Sequence, residues 1–530
     1  MSAEQDEIIH TALPEWTEYR KKNGLDPLGM QNSSVSLYQT FLPGISNVTL
    51  RIRYYGLYAW LAMRYAKSIG DTNPESWKRR VRRAEALYAL IASHHRGEPG
   101  VAGIEWASKE LLADRSGDTI DFAAAAEPGS ETCYLKQAWG AFGAAYRSQL
   151  FEIGIFQRTD DHEIPLPSKP LGERLAQAFE KSLGELADQY FAVVERGTVQ
   201  PSELQQLGPF LPSAIVPQSD EWLLYEDILI TRINAPGSRA LSRKLSIQLI
   251  LRIANLLGRE PRADEIRWVL YAGYDKDGNA LSLGDPALEA QRARWWVYHA
   301  NDLCHIAYEA LLKFALDTLS EYPAGLSLAR LIGLCADTIL DQFDIEPQSW
   351  DELIASSIPA SNAFDIHILD SEAALSSKII RAGRSDASVC LPKTAVAAVR
   401  MIAILHRRIE DTKADINEPL SVLNPDAFRS LLTETHFLDS HRKEPFRRIL
   451  ERILEERVIR RHLWVAMRKL RHQSDYTFLI ETDDGKLRLR GKDGPVFTNP
   501  RLGPAISFLK DIALLDQDGL TDLGKKAMWT

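Results

Sequence analysis

The chain has 530 residues, of which 45% are hydrophobic, 25% charged and 9% aromatic, and its formal net charge is −9. That length exceeds one hydrophobic core and implies roughly two to four domains of an ordinary soluble globular protein. The acidic balance excludes a protein coated in positive charge, so any nucleic-acid contact must be local, and no run of about 18 apolar residues offers a membrane span.

The N-terminus, MSAEQDEIIH, is acidic and lacks the basic and apolar regions of a signal peptide. Cys133, Cys304, Cys335 and Cys390 lie far apart and fit no CxxC spacing. They point to reduced thiols and a cytoplasmic protein.

Helical periodicity dominates from there. Leu50, Tyr54, Leu57, Tyr58, Leu61 and Tyr65 recur at steps of three or four and predict one buried helix face. Pro43-Gly44 predicts a turn before it, with Ser46 or Asn47 as the N-cap. Arg51 is expected to pair with a buried acceptor, while Arg53, Trp60, Arg64 and Lys67 form a second stripe off the core face. A further helix is predicted over Pro74 to His94, with Pro74 in its first turn. Residues 114–132, rich in Asp, Gly, Ser and Ala, read as a loop. A helix over Tyr134 to Phe156 holds Gly140 and Gly143, which imply close packing or a kink.

"PLGERLAQAFEKSLGELADQYFAVVE" reads as one long amphipathic helix, and Gly208 to Ser219, with three prolines, as a linker. Helices follow at Glu221 to Ile233, Ser238 to Leu257, Pro286 to Leu319 and Ala395 to Ile409, with a looser stretch over 357–390. "PFRRILERILEERVIRRHLWVAMRKLRH" is a long basic helix. "YTFLIE" and "KLRLRG" around Asp483-Asp484-Gly485 give a hairpin, and "NPRLGPAISFLKDIALL" a helix. The expected fold is mainly α, with an N-terminal helical domain over 1–207, a middle helical domain over 220–420 and a C-terminal domain over 425–530. Helices, a β-ribbon and a closing "GLTxxG" helix in that last domain resemble a winged helix-turn-helix.

Chemistry is harder to find. His299 and Asp302 share a helix face, but His305 is six residues from His299, and no HExxH or HxH is present. His94-His95 ends a basic helix, where it suits the helix C-terminus. Asp337, Asp341 and Asp344 stand at i, i+4 and i+7, spacing that fits a divalent cation or a solvated acidic stripe. Asp475, Glu481, Asp483 and Lys486 partly match a restriction-type nuclease, but Gly485 puts the key spacing in a turn. There is no GxxxxGK[ST], GxGxxG or GxSxG. No catalytic residue, metal ligand or cofactor is assigned from the sequence.

Two basic regions remain. Arg51 to Arg96 holds ten Lys/Arg against three Asp/Glu, and His441 to Arg471 holds eleven against four Glu. Phosphate binding is expected from Lys78, Arg79, Arg80, Arg82 and Arg83, from Arg457, Arg460, Arg461 and Arg468, and from Lys486 and Arg488 of the hairpin. The helix over 500–515 has few base-reading side chains and a broad apolar face. Leu502, Ile506 and Leu509 are therefore expected to dock a protein partner.

Leu42-Pro43-Gly44, Ser46, Thr49, Arg51, Arg53, Tyr54-Tyr55 and Trp60-Leu61 resemble an N-terminal signature of poorly characterised bacterial proteins encoded in anti-phage defence islands. The resemblance covers about the first 190 residues and implies a prokaryotic defence context. The outline of N-terminal helices and a C-terminal winged helix is similar to kleisin-type subunits of SMC ATPase complexes, but it lacks their long disordered linker. With the two basic regions and the lack of a catalytic motif, the N-terminal resemblance implies a non-catalytic accessory subunit of a defence assembly that binds a protein partner and contacts DNA nonspecifically; the kleisin-like outline implies an SMC-like ATPase, with a nuclease, as that partner. The alternative is a metal-dependent nuclease, or another effector enzyme of a defence system, using Asp337 and Asp341.

Overall fold

The computed structural model describes residues 26–95, 97–113, 119–158, 163–231, 240–384, 388–421, 423–424 and 428–529. The N-terminal MSAEQDEIIH, Arg96, part of the 114–132 loop, Ser238 and the Pro425 boundary lie outside the described residues. The fold is mainly helical, with small antiparallel hairpins. Among the described residues no helix is long and apolar enough to cross a membrane.

The chain packs as two compact units, and each is assembled from separated stretches. One comprises residues 35–299 and 499–529, the other 26–34 and 300–498. The sequence predicts three domains one after another along the chain. The hairpin Ile480–Asp483/Lys486–Leu489 and the helix Leu502–Asp511, both assigned to one winged helix, instead fall in different units.

In the 35–299/499–529 unit, the Arg53–Ser68 helix is buried on nearly all sides. Tyr54 packs on Tyr58 and Tyr146 at ring distances of 5.4 and 4.7 Å, and Trp60 lies against Phe179, Tyr190 and Phe210. Trp60 is therefore core, not a second outward stripe. The helix begins at Arg53 rather than after Asn47, because Ser46 and Thr49 close a tight turn on each other. The N–H of Ile52 is served by the Asp511 carboxylate at 3.0 Å.

The Pro74–His94 helix starts as its sequence predicts, with Asn73 capping Glu75 N and Pro74 at the first position. The segment after Tyr134 becomes helical only from about Gly140. Gly140 has φ +58, and a Cβ there would meet Glu85 Oε2 at 2.4 Å. The single amphipathic helix expected after Pro170 is two helices, Gly172–Leu183 and Leu186–Arg196, divided at Gly184 with φ +57. The expected linker is part of the core, since two 3-10 turns bury Phe210 completely.

In the 26–34/300–498 unit, the packed elements are residues 300–320 of the Pro286–Ser320 helix and the helices Leu328–Leu340, Pro392–Thr412 and Phe446–Gln473. The last of these passes through a π-helical turn over Ile453–Ile459. The hairpin turns at Asp484 and Gly485, both with positive φ, as a two-residue loop between right-twisted strands requires.

Candidate nucleic-acid interface

The first basic region is spent mostly on the protein itself. Arg82 is fully buried, and its guanidinium donates to the carbonyls of Ala126, Gln137 and Leu135. It is a structural cation and reaches no phosphate, which corrects the expectation for that residue. Lys78 pairs with Glu75 at 3.0 Å, Arg79 with Glu127 at 3.6 Å and Arg80 with Glu195 at 2.6 Å, while Arg83 donates to the Glu195 carbonyl. Acid partners thus offset much of the charge expected on this helix.

Arg53, read as outward-facing, is also buried, and Arg64 is tied to Glu180 and Asp188. Arg51 does take a buried acceptor, Asp511, with Glu98 on its far side. Leu502, Ile506 and Leu509 are 0, 7 and 0% exposed. The breadth of that apolar face reflects burial all round, so it is not the exposed docking surface expected.

The second basic region divides into an inner and an outer face. Its structured core is the helix Arg460–Gln473 in the 26–34/300–498 unit. Arg461, His462, Val465 and Ala466 repeat at helical spacing and turn inward. Arg461 donates to Leu28 O at 2.8 Å and stacks over the Trp464 ring, and burial, with Arg429 nearby, lowers its pKa to about 10. Arg457 holds Glu434 with both prongs and lies over Phe437. Arg461 and Arg457 therefore maintain the fold rather than meet solvent.

The outer face carries Arg460, Trp464, Met467, Arg468 and Arg471, positions spaced by three or four. Trp464 is 43% and Met467 41% exposed, neighbours on one helix face. Arg468 stacks over Trp464 at 5.5 Å and over Phe428 at 5.6 Å. Arg460 is paired with Glu455 at 2.8 Å but stays 61% exposed. A cavity of about 360 Å³ lies beside this face, lined by Asp26, Asn32, Phe428, Arg468, Lys469 and His472. In the hairpin of the same unit, Lys486 is exposed and Arg488 pairs with Asp483 at 2.8 Å.

Exposed rings interleaved with guanidinium groups can stack on bases or sugars while neutralising phosphates. The basic run was visible in the sequence. The exposure of Trp464 is not legible in the sequence, because an aromatic residue in a helix is more often buried.

The candidate acid and histidine sites are rearranged too. The Leu328–Leu340 helix ends before Asp341, so Asp337, Asp341 and Asp344 share no helix face, and Asp337 is paired with Arg447. His299 packs against Trp268 and Tyr271 in one unit, while His305 belongs to the other. His305 is fully buried between Asp302 and Glu309, and its ligand atoms lie within 4.8 Å of those of Glu309 and Asp26. Sequence spacing had not brought Glu309 and Asp26 to this histidine.

No protein-family model, no curated protein and no solved structure matches the chain.

Proposed function

We propose that the protein is a non-enzymatic accessory subunit of a bacterial antiviral assembly that contacts DNA without regard to sequence. The contact is made by the outer face of the Arg460–Gln473 helix, helped by Lys486 and Arg488. The observation that carries this reading is the exposed Trp464 flanked by Arg460, Arg468 and Arg471 on one helix face. Arginine supplies salt-dependent phosphate affinity, and the ring supplies stacking that tolerates any base. The N-terminal resemblance supplies the defence context.

Fluorescence anisotropy with a labelled random-sequence duplex tests the contact. Affinity should fall steeply between about 50 and 200 mM salt, with a log–log slope of about −0.9 per phosphate engaged. Arg460→Glu, Arg468→Glu and Arg471→Glu together should abolish binding and leave the circular dichroism spectrum unchanged. Binding that ignores salt, or that survives the triple reversal, contradicts this reading. Plasmid cleavage with Mg²⁺ or Mn²⁺ would contradict its non-enzymatic part.

A further inference from the structure

We infer that Asp26, His305 and Glu309 bind one divalent transition-metal ion as a buried clamp inside the 26–34/300–498 unit. His305 and Glu309 lie one helical turn apart on the Pro286–Ser320 helix, so the i, i+4 spacing sets their side chains on one face. The Asp26 backbone lies ahead of the Gln31–Phe41 helix, and its carboxylate closes a third side. The three ligand atoms fall within 4.8 Å of one another, and the residues are 6, 0 and 5% exposed.

The orientation of the imidazole is the more telling feature. Nδ1 faces Asp302 Oδ1 at 3.3 Å, and Asp302 is itself held by the Thr498 N–H and hydroxyl. A carboxylate on one ring nitrogen fixes the tautomer and aims the other nitrogen, the arrangement that supports metal-bound histidine. That other nitrogen, Nε2, lies 2.9 Å from Glu309 Oε1, yet it has no aligned hydrogen-bond partner. Two potential ligand atoms this close, one on a buried ring and one on a buried carboxylate, form an ion pair that a shared metal ion would replace. Ligands about 2.0–2.2 Å from a tetrahedral zinc ion sit roughly 3.3–3.6 Å apart, so the pair would open by a few tenths of an ångström on loading.

Asp26 is more constrained. Its carboxylate accepts N–H bonds from Met30, Gln31 and Asn32 and from the Asn32 side chain. These bonds hold it at the site. Ligation therefore exchanges one of these bonds for the metal ion, while the others keep the carboxylate in place. One imidazole with carboxylates suits zinc or manganese better than calcium or copper(I).

The test uses the full chain, stripped with EDTA, desalted and loaded with ZnCl₂ or MnCl₂. Elemental mass spectrometry should find about one ion retained per chain, and the thermal midpoint should rise with loading. Glu309→Gln keeps the shape and an acceptor for Val496 N, and should weaken retention by at least about tenfold, as should Asp26→Asn. His367→Gln, a surface control, should leave retention unchanged. In protein labelled with ¹⁵N-histidine, the His305 Nε2 signal should shift on loading. Retention well below one ion for both metals, or retention unaffected by Glu309→Gln, would overturn the inference.

Discussion

Arg53 and Glu221 form a two-pronged ion pair in the core of the 35–299/499–529 unit, with Nε–Oε1 at 3.0 Å and an Nη of Arg53 3.1 Å from Oε2. The second Nη of Arg53 donates to the carbonyls of Pro209 and Leu211, and Ser182 and Tyr225 donate to Glu221. Burial opposes the arginine's charge, but Glu221 outweighs it and raises its pKa. Breaking such a pair from one side leaves a desolvated charge. Arg53→Ala or Glu221→Leu should each destabilise the protein by about 3–5 kcal/mol in chemical denaturation. The double substitution Arg53→Met with Glu221→Leu should cost less than the two single effects added together.

Tyr58 donates to the fully buried Glu85 at 2.9 Å, and Tyr134 OH and the N–H groups of Ala141 and Phe142 complete its shell. Burial raises the Glu85 pKa, and these four donors oppose that rise. Tyr58→Ala should cost about 3–5 kcal/mol through the lost ring. Tyr58→Phe keeps the packing and removes one donor, so it should cost only about 1–3 kcal/mol. Urea midpoints for the two variants separate packing from hydrogen bonding.

What the sequence shows of this molecule is what short-range chemistry controls. Asn73-Pro74 announces the helix that follows, and Asp484-Gly485 turns the hairpin, because cap and turn residues act on backbone a few positions away. Arg53 and Arg82 were misread for the opposite reason. Glu221 stands 168 residues from Arg53, and the acceptors of Arg82 are main-chain carbonyls, which no side-chain pattern reveals. The broad apolar face at Leu502, Ile506 and Leu509 was legible, but its cause was not, since burial on every side and a docking surface give the same composition. The basic outer face of Arg460–Gln473 was half legible: its charge is in the sequence, while the exposure of Trp464 depends on the packing of the whole unit.

His462 gives a pH dependence with a defined sign. Its Nδ1–H donates to Pro27 O at 3.2 Å, and its Nε2 accepts from Leu479 N at 2.9 Å, so both partners require the neutral ring. Burial lowers its pKa from 6.5 to about 4. The unfolded chain therefore binds the proton more readily. The stability that His462 contributes is complete above about pH 6.5 and is lost as pH falls toward 4, a difference of about 3 kcal/mol. Asp511 acts in the opposite sense, because burial raises its pKa to about 6 against the pull of Arg51. The comparison must therefore be made between variants. His462→Gln, which can still donate and accept, should flatten the stability profile between about pH 6.5 and 4.5 relative to wild type. Identical slopes would show that His462 is not held neutral.

The Pro74–His94 helix offers the clearest separation of surface charge from structural charge. Arg79 is 55% exposed with only a 3.6 Å contact to Glu127, and Arg80 pairs with Glu195 near the surface. Exposed pairs of this kind are worth about 0–1 kcal/mol each. Arg79→Glu with Arg80→Glu should therefore leave the protein folded and shift the thermal midpoint by only a few degrees. Arg82, next but one along the helix from Arg80, lies over the Tyr134 ring at 4.8 Å and donates to the buried carbonyl of Ala126 and the part-buried carbonyls of Gln137 and Leu135. Removing it strands the buried Ala126 carbonyl, at about 1–3 kcal/mol, and loses the packing of the guanidinium on Tyr134. Arg82→Ala should then lower stability far more than the double charge reversal, although it changes less net charge. If the double reversal were the more damaging of the two in thermal melts, Arg82 would not be the cation that holds this helix to the segments around Ala126 and Gln137.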